Sequence, residues 1–234
     1  MNQMRQVTAI ISILLSVAAL AGVSVLGFAY ENLRRQMAGI SSDLARLPNP
    51  SASHEHFEAR LAVIRSQISR VQKPIIVMGD SIVETAFLPA SICGHPVINA
   101  GIGGATIGFF VRYAEAIVNN SGPVLVVMSV GINDAVSHLP EAFRNAYQAT
   151  LQSLPARHIV LAITPARALN VEPLNDVIRE ITENAAIELP GLHEGMTIDG
   201  IHLDQSGYAI WNNAVLKGVE TALSCSSPTP LTDR

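Results

Sequence analysis

Only two cysteines, Cys93 and Cys225, occur in the 234 residues. Zinc is normally held by close pairs of Cys or His ligands, so their wide separation argues against a structural zinc site. The chain also lacks a basic run. With 15 Lys+Arg against 19 Asp+Glu, it has no clustered cations to hold a phosphate backbone, which argues against a nucleic-acid partner. Aromatic residues make up only 5% and Trp211 is the sole tryptophan, so no platform for stacking sugars is evident. No internal repeat is visible. Asp199 and Asp204 are too few and wrongly spaced for an EF-hand loop. His54-Glu55-His56 has a different spacing from the His-Glu-x-x-His of metalloproteases, and reads as solvated surface. Apolar content of 49% is ample for a core.

What the chain does have is one long uncharged run, residues 7–30, with Arg5 before it and Glu31, Arg34 and Arg35 after it. About two dozen such residues are enough to cross roughly 30 Å of hydrocarbon as a helix. A cleaved signal peptide is the rival, because Ala19-Leu20-Ala21 fits a processing site. Cleavage there would leave residues 22–30 as an exposed apolar terminus, so an uncleaved signal-anchor over residues 1–31 is the favoured reading. The flanking arginines do not decide orientation; the short leading segment favours an exported catalytic domain, periplasmic or extracellular.

Leu33, Met37, Ile40, Leu44 and Leu47 then recur at spacings of four and three, a helix seam. Pro48-Asn49-Pro50 breaks it, and a second stripe follows at Phe57, Leu61, Ile64, Ile68 and Val71. Residues 32–72 therefore read as a helical stalk or linker. Two uses of the stripes stay open: a coiled coil pairing two protomers as a homodimer, or a single helix whose second stripe lies on the next domain.

From residue 74 the pattern changes to short apolar runs bounded by Gly, Pro and Asn, at 74–78, 96–99, 124–130 and 158–163, with a weaker one near 186–189. Helical stretches lie between and after them, at 107–119, 139–154, 173–184 and 206–223. Continuous Val/Ile/Leu runs alternating with helices predict a parallel sheet covered on both faces. Ligands of such sheets bind at the carboxyl ends of the strands. The domain is expected over residues 73–224, with a flexible tail over 225–234. Whether Cys93 and Cys225 join is open: an oxidising compartment would permit the bond, and two independent thiols are the alternative.

Four segments carry candidate chemistry. Gly79-Asp80-Ser81 follows the first run and delivers a serine into a strand-to-helix turn, although the same tripeptide is common at helix N-caps. Asn99-Ala-Gly101-Ile-Gly103-Gly104 follows the second; its glycines let backbone amides approach a ligand, and their spacing is not that of a dinucleotide loop. Gly131-Ile-Asn133-Asp134 follows the third, where the Asn133 amide can donate to a developing oxyanion or simply cap a turn. Asp199-Gly-Ile-His202 supplies a base and its orienting acid from one tight turn, with Gly200 permitting the bend.

Together these segments, in this order, resemble the four blocks of the SGNH (GDSL-type) hydrolase family, over about residues 74 to 223. Ile82 stands where the family's name has leucine, a small departure. The resemblance implies a three-layer α/β/α flavodoxin-like sandwich with a central parallel sheet. It also implies hydrolysis of esters or thioesters, without metal or cofactor. Ser81 would be the nucleophile, His202 the base and Asp199 its orienter. The Ser81 and Gly104 N–H groups and the Asn133 amide would form the oxyanion hole, with Gly103 as the fallback for Gly104. The substrate would be a small-molecule, lipid or glycan ester. An O-acyltransferase on envelope glycans or a non-catalytic binding protein are the alternatives on the same fold. Replacing Asn133 with Ala is expected to lower turnover about 100- to 1,000-fold if its amide holds the oxyanion; steady-state kinetics of a folded variant distinguish that role from a turn cap.

Overall fold

The computed structural model describes residues 27, 29–32, 51–119, 121–136, 139–155, 157–167 and 169–226. Two compact units divide the chain, Met1–Ser51 and Ala52–Arg234. The run at 7–30 and the first stripe at 33–47 lie almost wholly outside the described residues. Among those described, no helix is long and apolar enough to cross a membrane.

The second unit starts with helix α1 (Ser51–Ile68). Its stripe is spent inside the unit: Leu61, Ile64 and Ile68 are buried in the same cluster as Ile76, Met78 and Phe110, with Phe57 and Val71 packed against it. The compact unit starts at Ala52, and of the two uses left open for this stripe it takes the second, covering the sheet.

Strands β1 (Ile75–Gly79), β3 (His95–Gly101), β4 (Leu125–Ser129) and β5 (His158–Val160) form a parallel sheet in the order β3-β1-β4-β5. An edge strand, β2 (Ser91–Ile92), pairs antiparallel with β3; a two-residue strand leaves no periodicity in a sequence. Every residue of β1 and β4 is buried. Ile76, Met78, Val126 and Met128 face one cluster, and Ile75, Val77, Leu125 and Val127 the other. Period-two side chains buried on both sides produce these unbroken apolar runs. Helices α3 (Ile107–Val118), α4 (Pro140–Ser153) and α5 (Glu172–Ile181) join α1 on the first face, while α2 (Ser81–Glu84) and α6 (Gln205–Leu223) cover the second. The result is a mixed, mostly parallel three-layer α/β/α sandwich.

Two details depart from the sequence pattern. The weak run near 186–189 makes only a parallel bridge between Ile187 and Leu161. Cys225, the first residue of the expected tail, is bonded to Cys93, with Cα atoms 6.0 Å apart at a sequence separation of 132. Closing so long a loop restricts the unfolded chain by about 5 kcal/mol on the chain-entropy account. Cys225→Ser is therefore expected to lower the unfolding free energy by up to that amount, and reductant should lower the wild-type melting temperature while leaving that of the variant unchanged.

Candidate active site

The register of the sheet aligns the exits of three strands. Gly79, the last residue of β1, pairs with Gly101 of β3 on one side and Ser129 of β4 on the other. A Cβ on Gly79 would collide with the Ser129 carbonyl and Val83, so only glycine permits the turn into α2. Asp80 caps that helix, its Oδ1 accepting from the Ile82 N–H at 3.0 Å. Ser81 is thereby the first residue of α2.

Across the site, residues 196–204 form a narrow loop. Thr197 bridges Leu203, the Ile198 N–H donates to the His202 carbonyl at 2.9 Å, and Gly200 at φ +93° makes the bend. Asp204 then caps α6 by accepting from the Gly207 N–H at 2.9 Å. His202 Nε2 lies 3.0 Å from Ser81 Oγ, and His202 Nδ1 lies 2.6 Å from Asp199 Oδ2. Asp199 Oδ1 accepts the N–H groups of Ile201 (3.0 Å) and His202 (2.8 Å). The hydrogen bond to the His202 ring, followed by those two amides, holds the Asp199 carboxyl well below the usual range. An ionised carboxylate only accepts, so Nδ1 carries the ring proton and Nε2 is left to accept from the serine hydroxyl.

The second and third loops meet each other. Asn133 Nδ2 donates one hydrogen to the Ala105 carbonyl at 2.9 Å, and the amide has a second hydrogen to give. Gly104 takes φ +77°. The Gly103 N–H is already committed to the Glu84 carboxylate, which favours Gly104 over Gly103 as the free donor. The structure therefore brings Ser81, His202 and Asp199 together, and joins Asn133 to the loop of Gly104.

No family model matches the chain, and no curated protein does. Solved structures do match. A Streptococcus pneumonia chain named for platelet activating factor superposes with a TM-score of 0.63 at 19% identity, over 77% of this chain and 99% of that one. A lipase/acylhydrolase from Enterococcus faecalis gives 0.55 at 20% identity, over 63% and 96%. The acetyl xylan esterase AlAXEase gives 0.53 at 20% identity, over 62% and 99%. The fold is the one found in these lipase/acylhydrolase and esterase structures.

Within this fold, several contacts at the site carry no motif of their own. Tyr208 of α6 donates its hydroxyl to the Ile82 carbonyl at 2.9 Å, tying the helix that follows His202 to the helix that begins at Ser81. His56, read from sequence as solvated surface, hydrogen-bonds Glu84 at 3.0 Å. Asp80 is 2% exposed, and its Oδ2 accepts from the Gly131 N–H at 3.3 Å. Asp134 Oδ2 accepts from the Ile107 N–H at 3.0 Å. These two carboxylates thus link the serine turn to the asparagine loop, and that loop to α3.

Burial pushes both acids up to about 6, against the opposing pull of their backbone N–H partners; the nearby Asp134 charge adds to the effect on Asp80. Each is therefore easier to protonate folded than unfolded. Between about pH 4 and pH 6 the folded state binds more protons, so stability declines as pH rises through that window and levels off above it. Asp199, shifted the other way, contributes stability that is lost only at lower pH. Urea midpoints collected from pH 4 to 7 are expected to show the decline, and Asp134→Asn is expected to flatten it.

Proposed function

We propose that this protein is a serine esterase hydrolysing carboxylic or thio esters through an acyl-enzyme. One observation carries the reading: Ser81 Oγ, His202 and Asp199 form a continuous hydrogen-bonded chain. Ser81 Oγ attacks the acyl carbonyl carbon while its proton passes to His202 Nε2. The carbonyl oxygen becomes an oxyanion, held by the Ser81 and Gly104 N–H groups and the free hydrogen of Asn133 Nδ2. The intermediate collapses, and the leaving alcohol or thiol departs with the proton from Nε2. Water, deprotonated by His202, then attacks the acyl carbon and releases the acid. Asp199 keeps the ring in the productive tautomer throughout and offsets its positive charge.

Fold relatives named as a lipase/acylhydrolase and an acetyl xylan esterase agree with ester chemistry. The domain is proposed to work outside the cytoplasm, anchored by the uncharged run at 7–30. The Cys93–Cys225 bond supports an oxidising compartment.

Ser81→Ala is expected to lower p-nitrophenyl acetate turnover on the order of 10⁴-fold or more while the protein stays folded. A fluorophosphonate probe should label the wild type and not the variant. Equal hydrolysis by both purified proteins would sink the assignment.

A further inference from the structure

We infer that Glu84 is a positioning residue for the oxyanion loop, held in its working orientation by His56 and Arg60 of α1; the catalytic part of this inference rests on the esterase reading. Glu84 closes the same single turn of helix that Ser81 opens. Its Oε2 accepts both the Gly103 N–H and His56 Nε2, the latter at 3.0 Å. Its Oε1 lies 3.2 Å from Arg60 Nε. The carboxylate is mostly sheltered, with the Glu84 side chain 19% exposed and that of Arg60 22%. Arg60 also reaches past Glu84 to the loop itself, donating to the Gly101 carbonyl at 2.9 Å through Nη2 and 3.1 Å through Nε. From the strand side, Asn99 Oδ1 accepts the Gly101 N–H at 2.9 Å, and Asn99 Nδ2 donates to the Val83 carbonyl at 2.7 Å.

The consequence follows from where these tethers end. The Gly104 N–H belongs to the peptide unit directly after Gly103, and Gly104 itself sits at φ +77°. Upstream of that amide the chain is tied at Gly103 by Glu84; downstream it is tied at Ala105 by Asn133. A glycine-rich segment has wide backbone freedom, and an oxyanion donor stabilises the transition state only if it is already aimed. Glu84 therefore couples the orientation of the Gly104 amide to the helix that carries the nucleophile. It touches no reacting atom. The helix α1 then has a catalytic consequence beyond covering the sheet, because it supplies both side chains that hold the Glu84 carboxylate.

Gly103 offers an independent handle. A Cβ there would lie 2.8 Å from Glu84 Oε2 and 3.4 Å from His56 Nε2. Gly103→Ala should displace the carboxylate without touching Ser81, His202 or Asp199. The test compares the full-length wild type with Glu84→Ala, Glu84→Gln, Gly103→Ala and the Glu84→Ala/Gly103→Ala double variant. Two readouts are taken: p-nitrophenyl acetate kinetics, and amide hydrogen exchange in the peptide spanning residues 99–106. Glu84→Ala and Gly103→Ala are each expected to lower kcat about 10-fold or more with little change in KM, since aim is lost and binding is not. Glu84→Gln keeps an acceptor for the Gly103 N–H and should recover most of the loss. The double variant should be no slower than Glu84→Ala alone, because both changes break one contact. Exchange at residues 99–106 should quicken in the Ala variants whether or not the protein turns over ester.

A folded Glu84→Ala with kcat within about twofold of wild type overturns the inference, as do a Gln variant as slow as Ala or multiplicative losses in the double variant. If Glu84→Ala fails to fold, Gly103→Ala decides: unchanged kcat and unchanged exchange overturn the clamp. A wild type that neither hydrolyses ester nor takes up fluorophosphonate sinks the esterase reading instead, and exchange at 99–106 still decides whether Glu84 orders the loop.

Discussion

The Ser81–His202 hydrogen bond spans 121 residues of sequence, and everything proposed for this protein depends on it forming. Such a bond contributes only about 1 kcal/mol net, far too little to hold two chain segments together. What brings the pair together is packing. Ile82 and Val83, directly after the serine, are buried in the same cluster as Leu203, directly after the histidine, and as Trp211 and Val215 of α6. Each such side chain is worth about 1.5–3 kcal/mol on burial, so the apolar contacts outweigh the hydrogen bond several-fold. Tyr208 adds a direct tie from α6 to the Ile82 carbonyl. The proton-transfer geometry is thus a by-product of how α2 and α6 cover one face of the sheet.

Charge is distributed around the site in opposite ways for opposite reasons. Asp199 has a half-exposed side chain and is ionised, accepting from two backbone N–H groups and the imidazole. Asp80 and Asp134 are inside, where burial works against their charge. Their carboxylates satisfy the N–H groups of Ile82, Gly131 and Ile107, which begin the loops and helices at the carboxyl ends of the strands. Without these acceptors the buried amides would be left unpaired, at about 1–3 kcal/mol each. The interior acids are thus the connectors between segments that approach one another only in the fold.

Helix α1 shows the limit of periodicity as evidence. Apolar residues at spacings of three and four state that a helix has a partner and do not say which one. Phe57 to Val71 fit a paired stalk as well as a domain layer, and burial of Leu61, Ile64 and Ile68 against the sheet decided between them. The same holds for His56: two histidines flanking a glutamate near the start of a helix are ordinary surface until a carboxylate 28 residues away reaches one of them.

The four parallel strands, the helices from 107 onward, and the loops carrying Ser81, Gly104, Asn133, Asp199 and His202 were all legible in the sequence. Short unbroken apolar runs rich in Val and Ile, bounded by turn residues, fit strands buried on both faces, and the turn residues at their ends are constrained by local backbone geometry. Local chemistry of that kind is encoded within a few neighbouring residues. The edge strand β2, the shortened β5 and the Glu84 contacts were not legible, and the Cys93–Cys225 bond and the internal use of α1 were each one of two outcomes the sequence left open. Each depends on which distant segment arrives opposite a given side chain, and that is set by the packing of the whole sheet rather than by any stretch of sequence.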